Sequence, residues 1–279
     1  MTMLDAFPCE AHDAAAIGCR ARECLKLEVA TYPKPGLVSH VDPGAHRDMD
    51  AALLISSAET LEAYFADLAG AGAAGASMGR LRAIGLAAER AMLAKTEGVN
   101  THRGAIFGLG LLCAAAGFRS AYGTSTTLGA IIAARWGAEI LCGPIALRSH
   151  GTEVARRHGA GGARAQAAAG FPAVYEVALP ALSLGRRLAP GDAEAARVQA
   201  CLSLIATIED TNLLYRGGLA GLSFARRQAR RFLDEGGVGS ADWRTRARTI
   251  HEAFVARRLS PGGCADLLAM ALFVDAIGA

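Results

Sequence analysis

Apolar positions recur at helical spacing along almost the whole chain. Over residues 13–30, Ala14, Ile17, Ala21, Cys24 and Leu25 form one stripe at intervals of three and four. Comparable stripes predict helices over 51–69, 80–95, from about 104 to 116, and over 125–142, 152–158, 173–188, 193–215, 219–235 and 242–258. A last apolar helix follows the Pro261-Gly262-Gly263 turn. Glu28 falls on the apolar stripe of the first helix, four residues past Cys24, and an acid on a core-facing stripe needs a partner. Between the first two helices, Pro33, Pro35, Pro43, Gly36 and Gly44 forbid a regular element. That segment holds Lys34, His40, His46, Arg47, Asp48 and Asp50, and a rigidified polar loop of this length is a functional candidate. Asp50 is placed to cap the helix that follows.

Composition narrows the fold. Of the 279 residues, 52% are hydrophobic and only 6% aromatic, which excludes disorder and supplies a sizeable core. Richness in Ala, Leu and Arg favours helix over strand. No tandem repeat or long polar linker divides the chain. The expectation is all-α: a single compact multi-helix domain spanning residues 1–279, with roughly nine to twelve helices at typical lengths.

A net charge of +3 does not describe a nucleic-acid binder, whose affinity rests on concentrated positive charge. It leaves room for local basic patches that take a phosphorylated small molecule. The 7 cysteines form no CxxC pair and read as buried free thiols in a reducing compartment rather than as a zinc site. Met1–Cys9 carries no secretory pattern, and the uncharged stretch Gly104–Phe118, interrupted by no charge, is shorter than the ~20 residues of a membrane helix. A cytoplasmic protein without membrane contact is expected.

Several segments carry candidate chemistry. Asn100 or Thr101 would cap a helix whose first turn holds His102 and Arg103; cations there oppose the helix dipole unless an anion lies between them and the free amides. That pattern suggests a phosphate site. The glycine-rich run 159–172 around Arg164 permits close backbone approach, but it follows a helix and lacks a Lys-Ser/Thr ending, so it is neither a P-loop nor a Rossmann turn. Asp210 shares a predicted helix face with the small residues Ser203, Ala206 and Thr207, and Gly217 can close that helix with Arg216 at its end. The arginines of 219–258 read as solvated helix faces, and Asp266 as an ordinary first-turn acid. No Gly-x-Ser-x-Gly element or activated cysteine is evident. The acids Glu28, Asp48, Glu209 and Asp210 suit Mg²⁺, while Lys34, Arg103, Arg164 and Arg216, with His46 and His102, suit phosphate oxygens. Together they describe a polyphosphate pocket in a helical bundle.

Six segments in order resemble the triphosphoribosyl-dephospho-CoA synthase family. They are Tyr32-Pro-Lys-Pro-Gly-Leu-Val-Ser39, Gly44-Ala-His-Arg-Asp-Met49, Gly98-Val-Asn-Thr-His-Arg-Gly104, Gly162-Ala-Arg164 with Gly170-Phe-Pro172, Glu209-Asp-Thr-Asn212 with Arg216-Gly-Gly218, and Ser260-Pro-Gly-Gly-Cys-Ala-Asp266. At position 103 Arg stands where relatives often carry Lys, which keeps the charge and alters the geometry. The resemblance implies transfer of the triphosphoribosyl group of ATP to the 2′-hydroxyl of 3′-dephospho-CoA with release of adenine. The product is the prosthetic-group precursor for the acyl carrier protein of malonate decarboxylase or citrate lyase, loaded by a separate nucleotidyltransferase.

Such a step needs a carboxylate near an oxocarbenium-like ribose, a general base for the hydroxyl, a donor for the departing base, and a clamp on the triphosphate. On this reading Lys34, His46, His102, Arg103, Arg164 and Arg216 bind phosphate or substrate. Asp48, Glu209 and Asp210 hold Mg²⁺. Glu28 and Asp210 are the catalytic acids, with Glu28 as base or oxocarbenium stabiliser. Two other classes compete: an ADP-ribosylglycohydrolase-like Mg²⁺-dependent hydrolase of N-ribosyl bonds, which would admit water in place of the second substrate, and a helical carrier-protein scaffold without nucleotide affinity.

Overall fold

The computed structural model describes residues 13–144 and 162–278. Among them are eleven α-helices and no strand. They are α1 (Ala14–Val29), α2 (Ala51–Ala73), α3 (Met78–Lys95), α4 (Arg103–Tyr122), α5 (Leu128–Cys142), α6 (Gly162–Ala168), α7 (Leu179–Leu188), α8 (Ala193–Thr207), α9 (Thr211–Asp234), α10 (Trp243–Ala256) and α11 (Gly262–Ile277). A π-helical turn, Ala173–Ala178, leads into α7, and a 3-10 turn, Gly237–Gly239, separates α9 from α10.

Helix α4 is the axis of the bundle, packed by α1, α2, α3, α5 and α11. Its residues 108–117 are buried without interruption, so its sides all face protein. The abundance of small residues has a direct use here. A Cβ on Gly72 would lie 1.9 Å from the Ala114 carbonyl oxygen, and one on Gly117 would lie 2.0 Å from that of Ala69. The backbones of α2 and α4 therefore touch, and a methyl group at either glycine would force them apart. Helix α4 is also the one helix among the described residues long and apolar enough to cross a membrane, but two thirds of its most apolar window is buried inside the bundle.

The structure departs from the sequence expectations at particular places. The helix expected over 193–215 breaks after Thr207, where Ile208 and Asp210 are extended, and Asp210 caps the next helix. The stop expected at Gly217 is instead a kink at Gly218 (φ 58°, ψ −162°), after which α9 continues. Part of the glycine-rich run is the short helix α6. The helix expected over 152–158 lies outside the described residues. Asp50 caps α2 as expected, its Oδ1 accepting from the Leu53 amide at 2.9 Å. The six cysteines among the described residues are free thiols, and Cys24, Cys113, Cys201 and Cys264 are buried.

Candidate active site

The first half of the proline-rich loop between α1 and α2 is interior, with residues 33–39 all buried, while residues 40–50 are half-buried or exposed. Contacts from the far end of the chain hold it. The buried His251 of α10 places Nδ1 2.7 Å from the Lys34 carbonyl oxygen and Nε2 3.1 Å from Asp42 Oδ1. Gly36 has φ +68°, and a Cβ there would lie 2.0 Å from the Leu259 carbonyl oxygen, so the loop and the segment before α11 meet backbone to backbone.

This anchoring carries Lys34 into the interior. Its side chain is fully buried and its ammonium pairs with the Glu28 carboxylate and donates to the Glu28 carbonyl oxygen at 2.5 Å. Glu28, the acid on the apolar stripe, thus has its partner. Lys34 is committed to it, and no surface of its side chain faces outward.

Two further carboxyls stand near this pair. Asp210 Oδ1 accepts from the amides of Asn212 (2.8 Å) and Leu213 (3.0 Å), and Oδ2 from the amide of Cys264 (2.8 Å). One carboxylate therefore caps α9 and also meets the N-terminus of α11. Burial raises the Asp210 pKa, and the three amides oppose that shift. The second is Asp266, in the first turns of α11. Its Oδ2 lies only 1.9 Å from where a Cβ on Gly104 would be, and the Ala105 amide supports its charged form. Gly104 therefore seats the Asp266 carboxyl on the start of α4. Burial first, then the negative charges of Glu28 and Asp210, raise the Asp266 pKa well above the usual carboxylate range. Sequence reasoning passed over Asp266 as a helix-start acid; its place in the Ser260–Asp266 segment was the available signal.

His102 closes this group from the N-cap of α4. It is 4% exposed, and Nδ1 lies 2.9 Å from the Ser57 hydroxyl, itself 2.7 Å from that of Thr101. Burial, then the Lys34 charge, lowers its pKa to about 4. Such a lowered pKa leaves the imidazole mainly uncharged at neutral pH. Asn100 does cap the helix start, accepting from the Arg103 amide at 3.1 Å.

A second, more open group lies on the same loop. His46 Nε2 is 2.9 Å from Ser260 Oγ, and Nδ1 is 3.5 Å from Asp48 Oδ1 and 3.3 Å from Arg216 Nη2. Arg216 also donates to the carbonyls of Ala45 (3.2 Å) and Arg258 (3.3 Å), tying the loop to the entry of α11. Burial and the Arg216 charge lower the His46 pKa, so His46 too is mainly neutral at pH 7.

Other expected members are elsewhere. Arg103 turns to Glu89 of α3, with Nε 2.7 Å from its carboxylate. Arg164 donates to the carbonyls of Ile140, Leu141, Gly143 and Pro144, so it caps the end of α5 rather than joining the acids. Glu209 is exposed while its neighbour Asp210 is buried. The trio Asp48, Glu209 and Asp210 thus forms no metal cage. Among the described residues no three His, Cys, Asp or Glu side chains converge to hold an ion. Three of the four available positions on Asp210 are already filled by amides, whereas the Asp48 carboxylate is 62% exposed. A surface hollow of about 320 Å³ between α2 and α3, lined by Asp67, Ala71, Ala74, Ala76, Arg80 and Ile84, includes none of these residues.

Five of the six singled-out segments therefore meet where α4, α9 and α11 begin. Glycines there bring backbone close to carboxyl groups: a Cβ on Gly263 would lie 3.0 Å from Asp210 Oδ2. Acids set against one another, a buried cation, an imidazole and helix N-termini make this cluster the candidate site of the molecule.

Comparison with known proteins names the class more closely. The family described as CitG, ATP:dephospho-CoA triphosphoribosyl transferase, matches residues 14–279. A 2-(5''-triphosphoribosyl)-3'-dephosphocoenzyme-A synthase of Pectobacterium atrosepticum is 39% identical, covering 94% of this chain and 89% of the relative. Probable synthases of the same name are 41% identical in Stutzerimonas stutzeri (91% and 89% covered) and 39% identical in Pseudomonas syringae pv. tomato (99% and 96% covered). No solved structure matches. The chain belongs to the ATP:dephospho-CoA triphosphoribosyl transferase family.

Proposed function

We propose that this chain joins C1′ of the ATP ribose to the 2′-oxygen of 3′-dephospho-CoA and releases adenine. The observation that carries this reading is the meeting of five dispersed family-like segments around Glu28, Asp210 and Asp266, in a chain matched to the family from residue 14 to its end.

The residues divide the work. Glu28, paired with Lys34, supplies negative charge beside the ribose as it takes on oxocarbenium character. Asp210 fixes the starts of α9 and α11 relative to each other, so that backbone amides are preorganised around the substrate. His102, uncharged and tethered by Ser57, offers one ring nitrogen for hydrogen bonding without adding a charge that would compete with Lys34. Arg216 and His46 form the outer polar rim that takes the triphosphate.

Mg²⁺ enters with the nucleotide. It prefers triphosphate oxygens, water and one or two carboxylates to a full protein cage. Asp48 is the carboxylate open to it. When bound, the ion neutralises phosphate charge. The product then passes to a separate nucleotidyltransferase that loads an acyl carrier protein, in the cytoplasm and away from any membrane.

The test is incubation with Mg²⁺, ATP and 3′-dephospho-CoA, measuring adenine by chromatography and the adduct by mass. Adenine and adduct in equal amounts are expected. Free triphosphoribose with no adduct would make the chain a hydrolase, and no adenine at all would refute the reading.

A further inference from the structure

Adenine is a poor leaving group unless a ring nitrogen gains a proton as the bond to ribose breaks. The proton donor must be an acid that remains protonated near neutral pH and can reach the substrate. Of the three central carboxyls, Glu28 is paired with the Lys34 ammonium, and Asp210 is filled by three backbone amides. Asp266 differs from both. No cationic side chain pairs with it among the described contacts, and the residue as a whole is half-buried where Glu28 and Asp210 are buried. Its carboxyl lies over Gly104, where a side chain would exclude it.

We propose that Asp266 is the general acid of the reaction, and that Gly104 is glycine to make room for its carboxyl. The assignment rests on the proposed reaction and adds the group that releases the base. As the C1′–N9 bond breaks, its electron pair goes to adenine and Asp266 gives its proton to a ring nitrogen. The 2′-oxygen of dephospho-CoA bonds to C1′ from the opposite face. The proton it sheds returns through solvent to the Asp266 carboxylate, so the cycle consumes no net proton.

The groups around Asp266 favour the protonated form. Glu28 faces it from α1, and Asp210 from the start of α9. Lys34 of the loop is neutralised by Glu28, His102 at the start of α4 is uncharged, and Cys201 of α8 is a thiol whose pKa is pushed up to about 12. Arg103 is turned to Glu89, and Glu176 of the π-turn is exposed. The ion pair of Arg186 and Asp275 is near the other end of α11. Two neighbouring carboxyls, one paired with an ammonium and the other with no cation beside it, can serve as stabiliser and acid.

The test compares ATP with its N7-methylated analogue, whose base leaves as a neutral molecule and needs no proton. With ATP, Asp266→Asn is expected to lower kcat by about 10²–10⁴-fold, the usual contribution of a general acid, while calorimetry shows ATP still bound. With the methylated substrate the loss should shrink to less than about tenfold, because the proton is no longer required. Gly104→Ala keeps every charge but displaces the carboxyl, and should show the same substrate-selective loss, which covers the case of an unstable Asp266→Asn. Equal losses on both substrates in both variants, or full activity in Asp266→Asn, would overturn the proposal. Absence of adenine release by the unaltered protein would instead refute the reaction itself.

Discussion

Replacing Lys34 with methionine removes the one cation buried among three carboxyls. Methionine fills a similar volume, so the packing around the stem survives and the effect is electrostatic. Lys34 has no exposed surface and the Glu28 side chain is only 10% exposed, so water cannot replace the lost ammonium. Breaking a buried pair by deleting one partner costs about 3–5 kcal/mol, because the charge left behind is uncompensated. At this chain length each kcal/mol lowers Tm by roughly 2–4 °C, so the fall should be roughly 6–20 °C. The informative comparison is the double variant Lys34→Met, Glu28→Gln, which removes the stranded charge. It should be more stable than Lys34→Met alone, with the two changes non-additive by about 1–3 kcal/mol. Calorimetric and urea unfolding of the four proteins of the cycle measure this. Additivity within about 0.5 kcal/mol would show that the two side chains do not depend on each other, and the account of the loop as a carrier of a buried ion pair would fail.

Three further outcomes follow from the same geometry. His102, with its pKa lowered to about 4, is neutral in the folded chain while the unfolded chain takes up a proton below pH ~6.5; its contribution is complete above that pH and is lost as pH falls towards 4, by about 3 kcal/mol, a slope that His102→Asn should flatten in urea titrations from pH 4 to 7. Asp266 has the opposite sign: its raised pKa means the folded state holds the proton more tightly, so its contribution worsens as pH rises above the unfolded carboxylate value, and Asp266→Asn should gain stability relative to the unaltered protein as pH increases. Gly117→Ala should cost about 1–3 kcal/mol or more, measured by thermal unfolding, because its methyl would meet the α2 backbone at Ala69.

Helix content was readable from spacing because an amphipathic helix declares its buried face every three or four residues. So were Asp50 as a cap and the importance of the loop 31–50, since proline and glycine act locally. The residues of the site were only partly legible. Glu28 stood out because an acid on an apolar stripe is costly wherever the chain folds. Arg164 and Arg103 looked like phosphate ligands for want of visible partners, yet the α5 carbonyls and Glu89 are their partners in space. Asp266 looked ordinary because an acid in a first helical turn needs no further partner, and only the fold sets it against Glu28 and Asp210.

The chain taken alone determines which segments are helices, where it must turn, and, through its ordered motifs, the family to which it belongs. These are local or comparative properties and need no distances. Tertiary structure decides which charges are answered. Only folding brings Glu28 to Lys34 in a dry interior, lays Asp266 over Gly104, and leaves His102 uncharged beside a cation. The energy of an ionisable group depends on what surrounds it within a few ångströms, and those neighbours come from α1, α4, α9 and α11, elements far apart along the polypeptide.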